Sequence, residues 1–225
     1  SHDLKTPEPD YGDIEKLLSM IEEARRPLIL VGGGVIRSKG AVPEFRTFFE
    51  RLGAPVASTI MGGGACPGNH PLFTGMIGMH GSHASNIASS QCDLLIAIGC
   101  RFSDRVATDP ATFASQAKIV HIDIDRAEID KNVQTDHHII GDARRVLELL
   151  NERLPAHDYP EWREFVFSHK EVPFVQDGIL HPHEILETIS AVTGGQAIIA
   201  TDVGQHQMWS AQYYHFSRPG QLVTS

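Results

Sequence analysis

Two arginines, Arg101 and Arg105, flank Phe102 and Asp104 directly after an apolar run, Asp93–Gly99. A guanidinium donates two hydrogen bonds in a fixed planar fork, which suits a phosphate; a pair of surface ion pairs is the plainer alternative. Asp123 and Asp125 close another run, 119–125, and a spacing of two puts both on one side of a strand. A carboxylate there can accept from ribose hydroxyls, and Asp125 can cap a following helix as well. Gly32-Gly33-Gly34 closes a third run, Pro27–Val31. With no Cβ, such a turn is tight and open to a ligand, although it can also serve connectivity alone. It is not the dinucleotide fingerprint Gly-x-Gly-x-x-Gly. Arg37 takes the last place, and Ser58-Thr59 stand where an acidic residue is required. An NAD reading therefore loses ground. The glycine- and proline-rich stretch 61–71 reads as a functional loop.

No single turn suffices for tight binding. A helix terminus contributes about 0.3–1 kcal/mol to an anion, whereas micromolar affinity needs about −8 kcal/mol. Several loops must act together on a large ligand. The close histidine pairs, His80-x-x-His83 and His181-Pro-His183, lack a third ligand nearby and argue against a zinc motif. Gly141-Asp142-Ala143 reads as a turn before a helix, and neither a nucleophile elbow nor a Walker lysine is present.

The elements that must position these residues alternate regularly. Helices are predicted over 14–25, with Asp13 as cap, and over 41–52, stopped at Gly53. Further helices fall over 82–90, 142–154, 182–193 and from 203 to about 214. Strands are predicted at 27–31, 55–60, 93–99, 119–125, 138–140, 197–202 and from 221. Unbroken apolar runs such as Leu28–Val31 mark strands buried on both faces. The fold class is therefore α/β: a parallel sheet with helices on both faces. Ligands in such sheets sit at the carboxyl ends of strands. Those ends here are Gly32–Gly34, Thr59–Gly64, Gly99–Arg105 and Asp123–Asp125, four loops converging on one rim. The expected organisation is a first domain over 1–154, with a linker at its start. A proline- and aromatic-bearing connector over 155–180 and a second, incomplete α/β unit over 181–225 follow.

The chain has 225 residues, 41% hydrophobic and 21% charged, enough for a sizeable core. Its net charge of −9 and the lack of a Lys/Arg stripe argue against a nucleic-acid partner. Three widely separated cysteines imply no disulfide framework and a reducing, cytoplasmic setting. No run is long enough to span a bilayer, and no leader peptide is expected.

The motifs resemble one family, the large catalytic subunit of acetolactate synthase, a thiamine-diphosphate enzyme. Residues 14–154 are similar to its central domain through Val31–Gly34, Gly78-Met79-His80-Gly81, Gly99–Val106 and His121–Asp125. Residues 181–225 are similar to the opening of its diphosphate-binding domain, most specifically through Thr201–Trp209. The resemblance implies a central domain of the Rossmann-like type in these enzymes, holding an extended FAD without a redox role. By position, Gly32, Gly33, Gly34, Thr59, Ile60, Met79, His80 and Gly81 would lie along the FAD. Arg101, Arg105, Asp123 and Ile124 would join them, with Asp142 and Ala143 near one end. Arg105 would also border the substrate channel. Val203, Gly204, Gln205 and His206 would face the phosphates of thiamine diphosphate. Cys100 and Ser103 depart from the residues common in the family, alanine and aspartate.

The resemblance also implies a reaction: condensation of pyruvate with pyruvate or 2-oxobutanoate, with loss of carbon dioxide, in branched-chain amino-acid biosynthesis. Mg²⁺ would be held by residues outside this segment, and no catalytic residue is assigned within it. The activating glutamate and the metal-binding segment of the family have no match here, so this chain alone is expected to be inactive. A homodimer or tetramer and a small regulatory subunit are the implied partners. Glyoxylate carboligase, pyruvate oxidase and a non-catalytic cofactor-binding module remain alternatives.

Overall fold

The structure is a computed structural model and describes residues 6–107, 113–170 and 177–224. Pro173 and Phe174 of the expected connector lie outside the described residues. The first unit runs α1 (Tyr11–Glu23), β1 (Pro27–Val31), α2 (Gly33–Arg37), α3 (Ala41–Leu52), β2 (Val56–Ser58) and β3 (Phe73–Met76). It continues through α4 (His83–Gln91), β4 (Leu94–Ile98), β5 (Lys118–Asp123), β6 (His137–Ile140), α5 (Ala143–Arg153) and α6 (Pro160–Phe167). The six strands form one sheet in the order β3-β2-β1-β4-β5-β6, and every pairing is parallel. This is the doubly wound arrangement, in which the strand order reverses beside β1.

Alternation along the buried strands divides the core in two. Ile29 and Val31 face one side with α1, α3 and α5, and Ile96, Ile98, Val120 and Ile122 join them. Leu28 and Leu30 face the other side with Leu95, Ala97, α4 and α6. Strands buried on both faces must be apolar at every position, which is why these runs show no polar alternation. In α3 the periodic residues Phe45, Phe48, Phe49 and Leu52 are all fully buried. Gly53 ends that helix in the left-handed region (φ 67°), where its N–H donates to the Phe49 carbonyl at 2.9 Å. Trp162 of α6 is buried and its Nε1 donates to the Pro27 carbonyl at 2.9 Å, so residues 160–167 share the core of the large sheet.

Three expectations need correction. The cap of α1 is Asp10, whose Oδ1 accepts from Gly12 N at 2.7 Å, not Asp13. The glycine stretch is not a turn alone, because Gly33 and Gly34 begin the helix α2 over residues 33–37, with Gly32 as its cap. The segment 73–76 is a strand that the sequence reading lacks. Phe73-Thr74-Gly75-Met76 carries a glycine at φ 117° and a register shift at Val56/Ala57, so it has no clean period-two signal.

The second unit holds α7 (Pro182–Val192), β7 (Ile199–Thr201), α8 (Gln205–Tyr213) and β8 (Leu222–Thr224). Its two strands pair in parallel. The buried Gln221 ties the unit together: Oε1 accepts from Ser217 N and Arg218 N, and Nε2 donates to the Gly195 and Ala197 carbonyls.

The glycine-rich stretch 61–71 receives this second unit. A Cβ on Gly64 would lie 2.2 Å from the Arg218 carbonyl, and one on Gly68 would lie 3.0 Å from His215 Cα. Gly68 N donates to the Phe216 carbonyl at 2.8 Å. At least two of its glycines therefore serve close packing of two chain segments.

Candidate functional site

Backbone hydrogen bonds lace the carboxyl ends of all six strands into one rim. Ile77 N donates to Ser58 O and Thr59 N to Val31 O, both at 2.9 Å. Gly32 N donates to Ile98 O at 2.9 Å, Gly99 N to Ile122 O at 2.8 Å, and Gly141 N to Asp123 O at 3.0 Å. Each turn thus hangs on its neighbour across the sheet.

The glycines make this lacing possible. A Cβ on Gly32 would lie 2.3 Å from Gly99 O, and one on Gly34 would lie 2.6 Å from Gly99 Cα. Gly34 N also donates to Gly99 O at 2.8 Å. The space freed by the missing side chains is taken by the turn after β4. Of the three glycines read as tight and open to a ligand, Gly33 and Gly34 line a cavity, while Gly32 lies buried and does not.

That cavity, of about 580 Å³, runs along the rim. Met76 at the end of β3 lines it with Ile77 and His80 beyond that strand, and Thr59 and Ile60 line it beyond β2. Arg101 and Arg105 come from the segment after β4, Asp123 and Ile124 from β5 and its end, and Asp142 and Ala143 from the start of α5. Five strand spacings of about 4.8 Å separate the two edges of the sheet, so the trough spans about 24 Å. Met79 and Gly81 do not line it; Met79 is exposed, and Gly81 lines a second cavity between β3 and the second unit. Val203, Gly204, Gln205 and His206 line neither cavity. They open α8, whose Met208 reaches the first.

The charges on the rim are unevenly satisfied. Asp123 accepts from Asp125 N at 2.9 Å, and Asp125 accepts from Ala127 N at 2.9 Å, capping a turn of 3₁₀ helix at Arg126–Glu128. Glu128 sits 3.1 Å from Lys131 and 3.6 Å from Arg101, whose side chain is 70% exposed. Asp142 accepts from Ser38 Oγ at 2.9 and 2.8 Å and from Arg144 N at 3.1 Å. Among the described residues no carboxylate lies within ion-pair distance of Arg37 or Arg105. Two guanidiniums therefore line the trough without an ion-pair partner among the described residues: Arg37, one residue before the Ser38 that bonds Asp142, and Arg105, whose carbonyl accepts from Met79 N in the turn that follows β3.

Beneath the rim lies His121, fully buried on β5. Its Nε2 lies 2.9 Å from the Cys100 carbonyl and 3.8 Å from Asp123 Oδ2. Burial pushes its proton affinity below that of an ordinary imidazole, against the opposing pull of Asp123. Burial also pushes the Cys100 thiol far up, so this cysteine is a packed apolar group and not a nucleophile. Among the described residues no group of three metal-ligating side chains converges, and no helix is long and apolar enough to cross a membrane.

Sequence reasoning missed Arg37, Ser38, Met76, Glu128 and Met208 as lining residues. Met76 was hidden with its strand. Ser38 and Arg37 reach the site because α2 turns the chain toward α5, a tertiary fact. For Arg37 a signal was present: it fills the place of a fingerprint glycine.

Residues 14–150 match the family described as the thiamine pyrophosphate enzyme central domain. The chain belongs to this family. Related proteins extend the likeness beyond the central domain. The acetolactate synthase large subunit of Lactococcus lactis is 43% identical over 217 residues, covering 94% of this chain and 38% of the relative. A probable acetolactate synthase large subunit of Methanocaldococcus jannaschii is 44% identical over 225 residues, with the same coverages. The chloroplastic acetolactate synthase 1 of rice is 41% identical over 240 residues, covering 98% of this chain and 36% of the relative. The chain therefore spans a little over a third of the length of these relatives.

Proposed function

We propose that this chain is the central part of an acetolactate synthase large subunit and that its rim trough holds FAD. The observation that carries the reading is the trough itself. It crosses the ends of all six strands, is long enough for an extended dinucleotide, and is lined by two guanidiniums, Arg37 and Arg105, with no ion-pair partner among the described residues, which suits a pyrophosphate-bearing ligand. The absent fingerprint and the missing acidic residue after β2 speak against NAD in the usual pose. In this reading Gly33, Gly34, Thr59 and Ile60 flank the middle of the ligand. Arg101, Arg105 and His80 take one side, and Asp123, Ile124, Asp142 and Ala143 the other. Gly32 supports the turn from beneath, and Met79 and Gly81 shape the loop beside Arg105.

Thiamine diphosphate, when bound, supplies the carbanion chemistry that joins two 2-oxo acids with loss of carbon dioxide. What these residues contribute is placement. The opening of α8, from Val203 to His206, is assigned to its phosphates, and the residues of the laced rim would hold the FAD in place. Mg²⁺ is assigned to residues outside this chain. A homodimer or tetramer, a small regulatory subunit, a boundary between units at 155–180 and a cytoplasmic setting complete the proposal. The names of the bacterial and archaeal relatives and the three buried, unpaired thiols support it.

The test is a full-length chain carrying this sequence, assayed with pyruvate, thiamine diphosphate, Mg²⁺ and FAD. Acetolactate is expected, with bound FAD recovered from the protein. Glyoxylate condensation without acetolactate, or oxygen consumption with acetyl phosphate, would replace the proposed activity by a related one. The 225-residue chain alone is expected to bind FAD without forming acetolactate.

A further inference from the structure

His121 is the one fully buried histidine among the described residues, and it is only half satisfied. Nε2 lies 2.9 Å from the Cys100 carbonyl, which can only accept, so Nε2 carries the proton and donates. Nδ1 is then a bare acceptor, and no donor among the described residues reaches it. A buried unsatisfied nitrogen is costly, and such an atom calls for a reason. The ring is packed by apolar groups on the α4/α6 face, with the edge of Phe102 at 5.0 Å between centroids.

The Cys100 carbonyl belongs to the turn that builds the middle of the rim. In that turn the Ile98 and Gly99 carbonyls accept from Gly32 N and Gly34 N. The carbonyl of Cys100 has no backbone partner of this kind among the described residues, and His121 holds it instead. The orientation of the Cys100–Arg101 peptide, and hence the start of the segment carrying Arg101 and Arg105, is fixed by this bond.

We propose that His121 is a positioning residue for the bound dinucleotide, and that its protonation releases the ligand. The inference rests on the FAD reading of the trough. A second proton on the ring must go to Nδ1, where no acceptor waits. The positive charge spreads over both nitrogens and is faced by Asp123, whose Oδ2 lies 3.8 Å from Nε2 on the same strand, and by Glu128 and Asp130 in the turn beyond. His138, its register partner on β6, is the neighbouring basic group. Asp123 is the nearest carboxylate and also lines the trough, so it is drawn to the imidazolium and away from the ligand. Binding therefore favours the neutral ring. Because burial lowers the proton affinity of the ring, the transition lies below the ordinary histidine value of about 6.5.

The experiment measures FAD affinity of the full-length chain by equilibrium dialysis across acid and neutral pH, with folding checked by circular dichroism. Parental affinity is expected to fall about tenfold between about pH 7 and about pH 5. His121→Gln places a non-titrating N–H near the Cys100 carbonyl; it is expected to bind like the parent at neutral pH and to lose that dependence. His121→Phe, which fills the space without a donor, is expected to bind weakly throughout. If it fails to fold, the Gln comparison decides. Parental affinity that does not change with pH, or a Gln variant that keeps the parental dependence, overturns the inference and leaves the FAD reading standing. A folded parental chain that binds no FAD at any pH overturns both.

Discussion

Gly34 shows how a single missing methyl group sets the site. Its N–H and its open Cα face bring the turn after β1 against the turn after β4. In Gly34→Ala the new Cβ would stand 2.6 Å from Gly99 Cα, a backbone atom that cannot swing aside. The expected cost is about 1–3 kcal/mol of stability from overpacking, read as a lower midpoint in urea, together with weaker FAD binding. Gly63→Ala is the matched control. Its Cβ would meet nothing closer than 3.4 Å, and Gly63 has a negative φ, so stability should stay within about 0.5 kcal/mol of the parent. Equal destabilisation by both substitutions would show that the contact between the turns is not what requires glycine at position 34.

At the scale of elements, the bond from Ser38 to Asp142 joins two helices that the sequence separates by about a hundred residues. Asp142 caps α5 by accepting from Arg144 N and also receives the Ser38 hydroxyl, fixing the end of α2 beside the start of α5. Losing a cap costs about 1 kcal/mol, up to about 2 where the geometry is good. Asp142→Ala is therefore expected to lower stability by about 1–2 kcal/mol, and Ser38→Ala by less. Because they share one interaction, the double variant should cost less than the sum. Chemical denaturation of the four chains measures the coupling, and strict additivity would mean that Ser38 and Asp142 act separately.

For the whole molecule, the contrast lies between a six-stranded sheet covered on both faces and a two-stranded sheet with open sides. Ile198, Val203 and Val223 are more than half exposed around β7 and β8, whereas every residue of β1 and β4 is buried. Two strands alone are marginal in water, and few buried contacts hold them closed. Hydrogen exchange on the 225-residue chain should release the amides of 199–201 and 222–224 well before those of 28–31 and 94–98. Equal protection would show that the second unit is stabilised beyond the contacts described.

Much of the first unit was legible in sequence because its signals are local. Unbroken apolar runs announce strands buried on both faces, helical periodicity and Gly53 bound α3, and polar residues cluster where strands end. Arg101, Arg105 and Asp123 could be named as rim residues for the same reason, because in a parallel sheet ligands sit at the carboxyl ends, whereas Asp142 reads as a turn before a helix and is named only through the resemblance. Other features had no local signal. β3 is a short edge strand with a glycine in the left-handed region. Ser38 and Arg37 join the site only because α2 turns toward α5. The glycines of 61–71 read as a functional loop, and nothing local announces that the second unit packs on Gly64 and Gly68. The sequence by itself determined the layers, the strand ends and the kinds of group at the rim. Only the tertiary structure decided which turns close on one another and that His121 holds the Cys100 carbonyl, because both depend on backbone groups meeting across strands far apart in the chain.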